Sequence, residues 1–472
     1  MYYNAKYFKD KVFIKLKKYK ISYILLIITL IGYFSCQREK KQSLSGNVSS
    51  ASVSIKKTST GFSMYRNGEP YFIKGVGGYT HLKELKDLGG NSIRVWDTSD
   101  ADRILDQAQE NGLTVMLGIW IGREKEGFNY FDNEAINKLK QQIKADVLQY
   151  RNHPALLVWC LGNELENGTA NARAWKVINE IAVMVRELDP NHPITMAVNS
   201  INPRVIRIIK RDIPAVELLS FNIYAGLASL DEQLKEADWG GPYIISEYSS
   251  KGYWESASTS WKAPIEYNSS EKSAFIGNLY KKYIQNNPPN CLGSYAFYWG
   301  NKQECTPTWF SILDENGRKS AVADMLQNVW TGQWPANKAP AIVNISLTQQ
   351  NNTPVKEISA GEIYFAHVNA KDFEGDSLTY KWEVLPESNW KELDGSVDKE
   401  TKPMAVKNVL LQNQGATVKI KSPLKPGPYR LFVYVYDEKE SFGTANIPFF
   451  VDGEKKNVNV ISKAFVYVNN RK

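Results

Sequence analysis

A chain of 472 residues, 43% of them hydrophobic, is too long for one ordinary domain and long enough to bury a sizeable core. Its formal charge of +8 is concentrated at the amino terminus. Seven lysines and Asp10 in the first 20 residues supply +6 and leave +2 on the rest, so the basic balance says little about nucleic acid and no concentrated basic patch supports such a partner.

In chain order, the lysine-rich start runs into ISYILLIITLIGYFS, an uninterrupted apolar segment ending at Cys36. A basic stretch followed by an apolar one too short for a comfortable span reads as a secretory signal. An uncleaved anchor helix is the alternative, and both readings place the remainder outside the cytoplasm. The cysteine directly after the apolar run resembles that of a bacterial lipobox. This implies lipidation at Cys36 and a chain lipid-anchored in the cell envelope, with the outer membrane as the expected membrane and the periplasm or cell surface as the expected side. Residues 1–36 are therefore expected to be signal peptide plus lipidation cysteine. The polar stretch 37–55 reads as a flexible tether.

Next, FSMYRNGEPYFIKGV places Asn67-Gly68 between two apolar runs, a hairpin signal. Eight short apolar runs follow: YFIKGVG, NSIRVW, LTVMLGIW, ALLVWCLGN, ITMAVN, LLSFNIY, PYIISEY and GSYAFYW. Several are apolar almost throughout, as parallel strands buried on both faces should be. Between them lie segments of helical period, among them NEAINKLKQQIKADVLQY and ARAWKVINEIAVMVREL. Eight strand-helix units over residues 56–334 predict an α/β fold, a (β/α)₈ TIM barrel. An open doubly wound sheet competes, but no Gly-rich phosphate loop opens any helix.

WPANKAPAI, from Trp334, is Pro-punctuated, and residues 335–342 read as a linker. Residues 343–452 then switch to short alternating strands such as YRLFVYVYD, which predict a small all-β sandwich, and 453–472 is left as a tail. Three cysteines remain after Cys36. Cys160 lies in an apolar run and reads as a buried thiol, while Cys291 and Cys305 flank a predicted strand and could pair in an oxidising compartment. The four histidines are scattered, no Cys/His spacing suggests zinc, and no metal or organic cofactor is implied.

Barrel enzymes place their chemistry at the C-terminal ends of the strands. Here that rule selects Arg94, Trp120, Asn163, Glu164, Asn222, Tyr224, Glu247 and Trp299. The set suits sugar chemistry: two carboxylates for acid/base and nucleophilic work, amides for hydroxyls, and aromatic faces for pyranose rings. A guanidinium beside a nucleophilic carboxylate favours its charged form. Asn and Glu after a strand could instead merely cap the next helix. Trp254 and Trp309 suit core and platform equally. Glu166 reads as a solvated neighbour, and nothing orients Glu304.

RNHPALLVWCLGNE resembles the acid/base signature of family 2 glycoside hydrolases, in the clan of barrel enzymes whose catalytic glutamates end strands four and seven. Glu164 follows the fourth predicted strand and Glu247 ends the seventh. The resemblance implies a retaining β-glycosidase with Glu164 as acid/base, raised in pKa by burial and by its partner, and Glu247 as nucleophile. It further implies that Asn163 binds the 2-hydroxyl, that Arg94 and Tyr224 support Glu247, and that Trp299 floors the subsite. Exo-acting members carry β-sandwich domains before the barrel, where a short tether and one hairpin are expected here, and this sequence reads NSIRVWDTSD where they carry a His-Tyr-Pro run. YFIKGVGG and NSIRVWD also resemble β-1,3-glucanosyltransferases of the same clan. DFEGDSLTYKW and VYVYD resemble immunoglobulin-like modules of the PKD and cadherin type, whose acidic turns can hold calcium; here Asp372, Glu374 and Asp376 read first as a solvated turn.

The expectation is thus an enzyme acting on a β-linked glycan, membrane-associated through its lipid, with no nucleic-acid partner. The alternatives are a β-glucan transglycosylase and a non-catalytic glycan-binding surface lipoprotein. The sandwich is expected to be a spacer or docking module whose removal largely spares turnover.

Overall fold

The computed structural model describes residues 52–167, 171–199, 201–286, 288–388 and 400–453. The expected signal peptide, the lipidation site Cys36, nearly all of the tether and nearly all of the tail lie outside the described residues. Among the described residues no helix is long and apolar enough to cross a membrane.

The described residues open with a three-stranded antiparallel sheet of β1 (Val53–Lys57), β2 (Phe62–Arg66) and β3 (Glu69–Tyr71). β1 begins two residues before the predicted end of the tether. Asn67 and Gly68 both take positive φ, 55° and 87°, the conformation that a two-residue hairpin requires. The sheet closes the N-terminal end of the barrel. Val53 N–H donates to the Asn191 carbonyl, Phe62 N–H to Pro289, and the Arg66 guanidinium to Pro154, all residues that precede barrel strands. Met64 is buried with Met116, Leu157 and Ile244 inside the barrel floor.

The barrel consists of β4 (Ile73–Gly77), β5 (Ser92–Val95), β6 (Thr114–Ile119), β7 (Leu156–Asn163), β8 (Ile194–Val198), β9 (Leu218–Asn222), β10 (Tyr243–Tyr248) and β11 (Cys291–Ala296). All are parallel to their neighbours, and β11 pairs with β4 to close the ring. A helix follows each strand: α1 (Leu82–Asp87), α2 (Ala101–Glu110), α3 (Asn133–Tyr150), α4 (Ala172–Leu188), α5 (Pro203–Asp212), α6 (Leu230–Glu236), α7 (Ser269–Tyr280) and α8 (Ala321–Thr331). Sequence explains where several begin. Asp132, Asn171 and Asn202 accept hydrogen bonds from first-turn N–H groups, and Asn268 with Glu271 forms a reciprocal capping box. One continuous core joins the apolar helix faces to the outer strand faces.

β12 (Lys319–Ser320), from the barrel's last connection, pairs with a strand of the following region. That region contains β13 (Ala341–Thr348), β14 (Glu357–Ser359), β15 (Ile363–Lys371), β16 (Thr379–Pro386), β17 (Thr417–Lys421), β18 (Gly427–Tyr436) and β19 (Ser441–Asp452). One sheet runs β12-β19-β18-β16 with β14 on β19; the other runs β13-β15-β17. Ile342, Ala366, Trp382, Val418, Leu431 and Phe449 fill the space between them, a second core. The sandwich is joined to α7, where the hydroxyls of buried Ser269 and half-buried Ser270 accept the N–H groups of Thr444 and Ile342.

Cys291 and Cys305 are both free, as is Cys160. Cys291 starts β11 at the barrel floor, whereas Cys305 lies nine residues past its C-terminal end. The strand between them holds the pair apart, so the candidate disulfide does not form.

Candidate active site at the barrel mouth

Bulges on two strands aim the carboxylates. Between Cys160 and Asn163, β7 spends three residues against two of β8, and between Ile245 and Glu247, β10 spends two against one of β9. An extra residue turns the following side chain to the other face. On β7 the bulge contains Gly162 at φ 69°, where a Cβ would stand 2.6 Å from the Leu165 side chain. Glu164 itself holds a positive φ of 53°, pinned by its N–H on the Ala197 carbonyl at 2.8 Å. A non-glycine residue in that region is strained and persists only where its surroundings over-determine it.

Arg94, only 1% exposed, organises the mouth. Its Nη1 donates to Glu247 Oε1 (2.8 Å), Asn222 Oδ1 (2.9 Å) and the Ser246 carbonyl (2.9 Å), and its Nη2 to Asn163 Oδ1 (2.7 Å). Glu247 also accepts from the Trp96 indole at 3.1 Å and from the Tyr224 hydroxyl at 3.0 Å. Burial pushes the Tyr224 phenol well above its ordinary value, as does the charge of Glu247, so it stays a donor.

Glu164 sits in different surroundings. Its Oε1 accepts from Asn222 Nδ2 at 2.8 Å, and no cation bonds it directly among the described residues. Burial, followed by the charge of Glu247, holds its carboxyl above the usual range; Asn222 and the more distant Arg94 and Arg123 only partly offset this. Asn222 joins the two carboxylate systems, with Oδ1 taken by Arg94 and Ser246 and Nδ2 by Asn163 and Glu164.

A cleft of about 970 Å³ opens over this group, at the upper end of small-molecule sites and roomy enough for several sugar units. Trp120 and Trp254, 42% and 52% exposed, line it, as do Asn163, Asn222 and Tyr224. Three expectations, those for Trp299, Arg94 and Glu166, need correction, and Trp309, left open between core and platform, finds its place. Trp299 does not reach the cleft: it is fully buried in the barrel-helix core, its indole donating to the Thr80 carbonyl at 2.7 Å. It lies three residues past the end of β11, where strand alternation no longer applies, and Phe297 and Tyr298 line the cleft in its stead. Arg94 touches no cleft space, because the residues it bonds stand in front of it. Trp309 is core, its indole spent on the Lys251 carbonyl. Glu166 is not a freely solvated neighbour: Oε1 accepts the Asn199 N–H, Oε2 is buried, and burial pushes its carboxyl to about 7. Trp96 was missed altogether, although it directly follows the end of β5, two residues on from Arg94.

Among the described residues no group of His, Cys, Asp or Glu is arranged to hold a metal. The acidic turn of the sandwich spends most of its oxygens on its own backbone and on lysines, with Asp372 Oδ2 left buried. Asp372 Oδ1 accepts the N–H groups of Glu374 and Asp376, and those two carboxylates pair with Lys338 and Lys439.

Residues 80–307 match the family model described as glycosyl hydrolases family 2, TIM barrel domain. A putative beta-glucuronidase of Formosa agariphila is 32% identical over 156 residues, 29% of this chain and 14% of that protein. A beta-galactosidase of Bacteroides ovatus is 29% identical over 97 residues, covering 20% and 11%. Human beta-glucuronidase is 23% identical over 153 residues, covering 28% and 23%. The matched stretch thus spans less than a quarter of each of these relatives. Among solved structures, a beta-D-glucuronidase of Dictyoglomus thermophilum superposes with a TM-score of 0.48 and 19% identity, over 60% of this chain and 54% of that one.

Proposed function

We propose, starting from a barrel that belongs to family 2 of the glycosyl hydrolases, that this chain is a retaining β-glycosidase of a β-linked oligo- or polysaccharide. One observation carries the reading: two carboxylates at the ends of β7 and β10 share one cleft, yet only one of them is bonded to a buried cation. Unequal surroundings are how paired carboxylates divide acid from nucleophile.

In the first step Glu247 attacks the anomeric carbon while the proton of Glu164 passes to the leaving oxygen, so one C–O bond forms as the glycosidic bond breaks. The glycosyl-enzyme neutralises Glu247, which removes the charge that kept Glu164 protonated. Glu164 then takes a proton from water or an acceptor sugar, whose oxygen displaces Glu247. Asn163 offers its amide N–H groups to the substrate, since Arg94 and Asn222 already occupy its Oδ1. Arg94, Trp96 and Tyr224 hold Glu247 for attack.

Substrate choice rests on the mouth. The named relatives put glucuronides and galactosides first in any panel. However, the two cations lining the described cleft, Arg123 and Lys302, are paired with Glu126 and Glu304, which favours neutral sugars over uronic acids. Attachment to the envelope through lipidated Cys36 is supported by the amino-terminal sequence alone.

Mass-spectrometric product analysis of residues 37–472 against defined β-linked oligosaccharides tests the reading, with Glu247→Gln alongside. Products present with wild type and absent with the variant are expected, and their sizes separate hydrolysis from transfer. A broad panel left intact by wild type would sink it in favour of glycan binding without turnover.

A further inference from the structure

We propose that the β-sandwich is a working part of the substrate cleft, with Glu400 as the positioning residue that holds the loop at 301–306 as one cleft wall. The catalytic consequence rests on the glycosidase reading; the geometry does not.

The loop leaves the barrel after β11, and Asn301, Lys302, Gln303 and Glu304 all line the cleft. It is close to the chemistry, for the Glu304 charge acts on Tyr224, whose hydroxyl bonds Glu247. Within and beside the loop the Glu304 and Thr306 backbones exchange two hydrogen bonds, Lys302 N–H reaches Ser311, and Lys302 pairs with Glu304, but the hold on Cys305 comes from elsewhere. The sandwich side supplies that hold. Glu400 Oε2 accepts the Cys305 N–H at 2.7 Å and Oε1 accepts from the Gln303 amide at 3.0 Å. Ser388 donates to the Cys305 carbonyl at 2.7 Å. Both backbone groups of Cys305, a residue at φ 60°, are thus bonded from outside the barrel. A non-glycine residue in that conformation requires outside constraint.

The underside of the loop is held in the same way. Thr306 and Thr308 hydroxyls donate to buried Glu266, which also accepts from Asn446 of β19 at 2.7 Å. Asn446 in turn accepts from Arg430 of β18. Glu400 also borders the cleft itself. The sandwich therefore sets where the polar wall stands, and a wall placed for hydroxyls beyond the reacting sugar makes long glycans better substrates than short ones.

The test compares Glu400→Ala and Glu400→Gln with wild type in the full chain. Glutamine keeps an acceptor for the Cys305 N–H; alanine does not. Hydrogen exchange across residues 303–308 should quicken in the alanine variant and return close to wild type with glutamine. The kcat/KM of the alanine variant for a β-linked oligosaccharide should drop about tenfold further than for an aryl monoglycoside, mostly through KM. Unchanged loop exchange overturns the proposal, and so does an equal loss on both substrates, which a merely structural defect would give. If wild type turns over neither substrate, the glycosidase reading has failed, and the exchange measurement alone decides the positioning role.

Discussion

Two buried arginines, Arg94 at the barrel mouth and Arg430 at the seam with the sandwich, are each 1% exposed and each bonded to a carboxylate and an asparagine. What separates them is where the network ends. At the seam, Glu266 receives Lys272, Thr306, Thr308 and Asn446 from all sides. Burial alone would push its carboxyl up, but Lys272 and then Arg430 outweigh that and hold it below the ordinary range. At the mouth, the donors to Glu247 stand behind and beside it and leave the cleft side open, while Glu164 faces the same cleft with a raised pKa. A closed network stabilises a joint, whereas an open one leaves a nucleophile exposed to substrate.

The sharpest way to break this contrast is to cut both networks. Glu247→Gln should lower kcat by roughly 10⁴-fold or more, while its amide oxygen keeps an acceptor for Arg94, so the unfolding midpoint should fall much less than the rate. Lys272→Met should do the reverse. It leaves Glu266 buried without its ammonium, a loss of about 3–5 kcal/mol, and the double change with Glu266→Gln should recover much of it. Urea melts beside steady-state rates decide the matter. If Lys272→Met were as stable as wild type, the seam would not be the load that holds the two regions together.

Glu166 lies between these extremes, a carboxyl at the mouth with one backbone donor and no directly bonded cation among the described residues. Its value near 7, against an ordinary 4.5, means the folded state binds the proton more tightly than the unfolded one. Its contribution to stability is therefore lost as pH rises from about 4.5 through 7, by at most about 3 kcal/mol, with solvent contact reducing that figure. Glu166→Gln keeps the acceptor for Asn199 and should melt later than wild type above pH 7, with no advantage near pH 4. An equal gain at both pH values would show that charge is not the cause.

Sequence showed most of the barrel and little of what surrounds the chemistry. Eight apolar runs in regular alternation with helical segments leave few topologies open, and the Asn163-Glu164 and Glu247 contexts lie at the ends of two of them. Trp96 was legible by period two from Arg94, yet a tryptophan reads as core unless a partner for its indole is known. Trp299 failed because the predicted strand GSYAFYW runs three residues past the end of β11, so its last residue is not the strand's end. The role of Glu400 was not legible at all. It acts across roughly a hundred residues of chain through the backbone of Cys305, and no local pattern encodes such a contact.

The smallest expected effect belongs to Tyr224, and it tests whether the donors around Glu247 act separately. The hydroxyl sits 3.0 Å from Oε2, while Arg94 and Trp96 share Oε1. Removing one neutral donor from an ionised carboxylate costs about 1–2 kcal/mol, so Tyr224→Phe should lower kcat/KM by roughly tenfold. The pH–rate profile then shows whether the change stays local. The alkaline limb, set by protonated Glu164, should stay in place. A shift of that limb would mean that Asn222 transmits a change at Glu247 to Glu164, and the mouth would then have to be treated as a single unit.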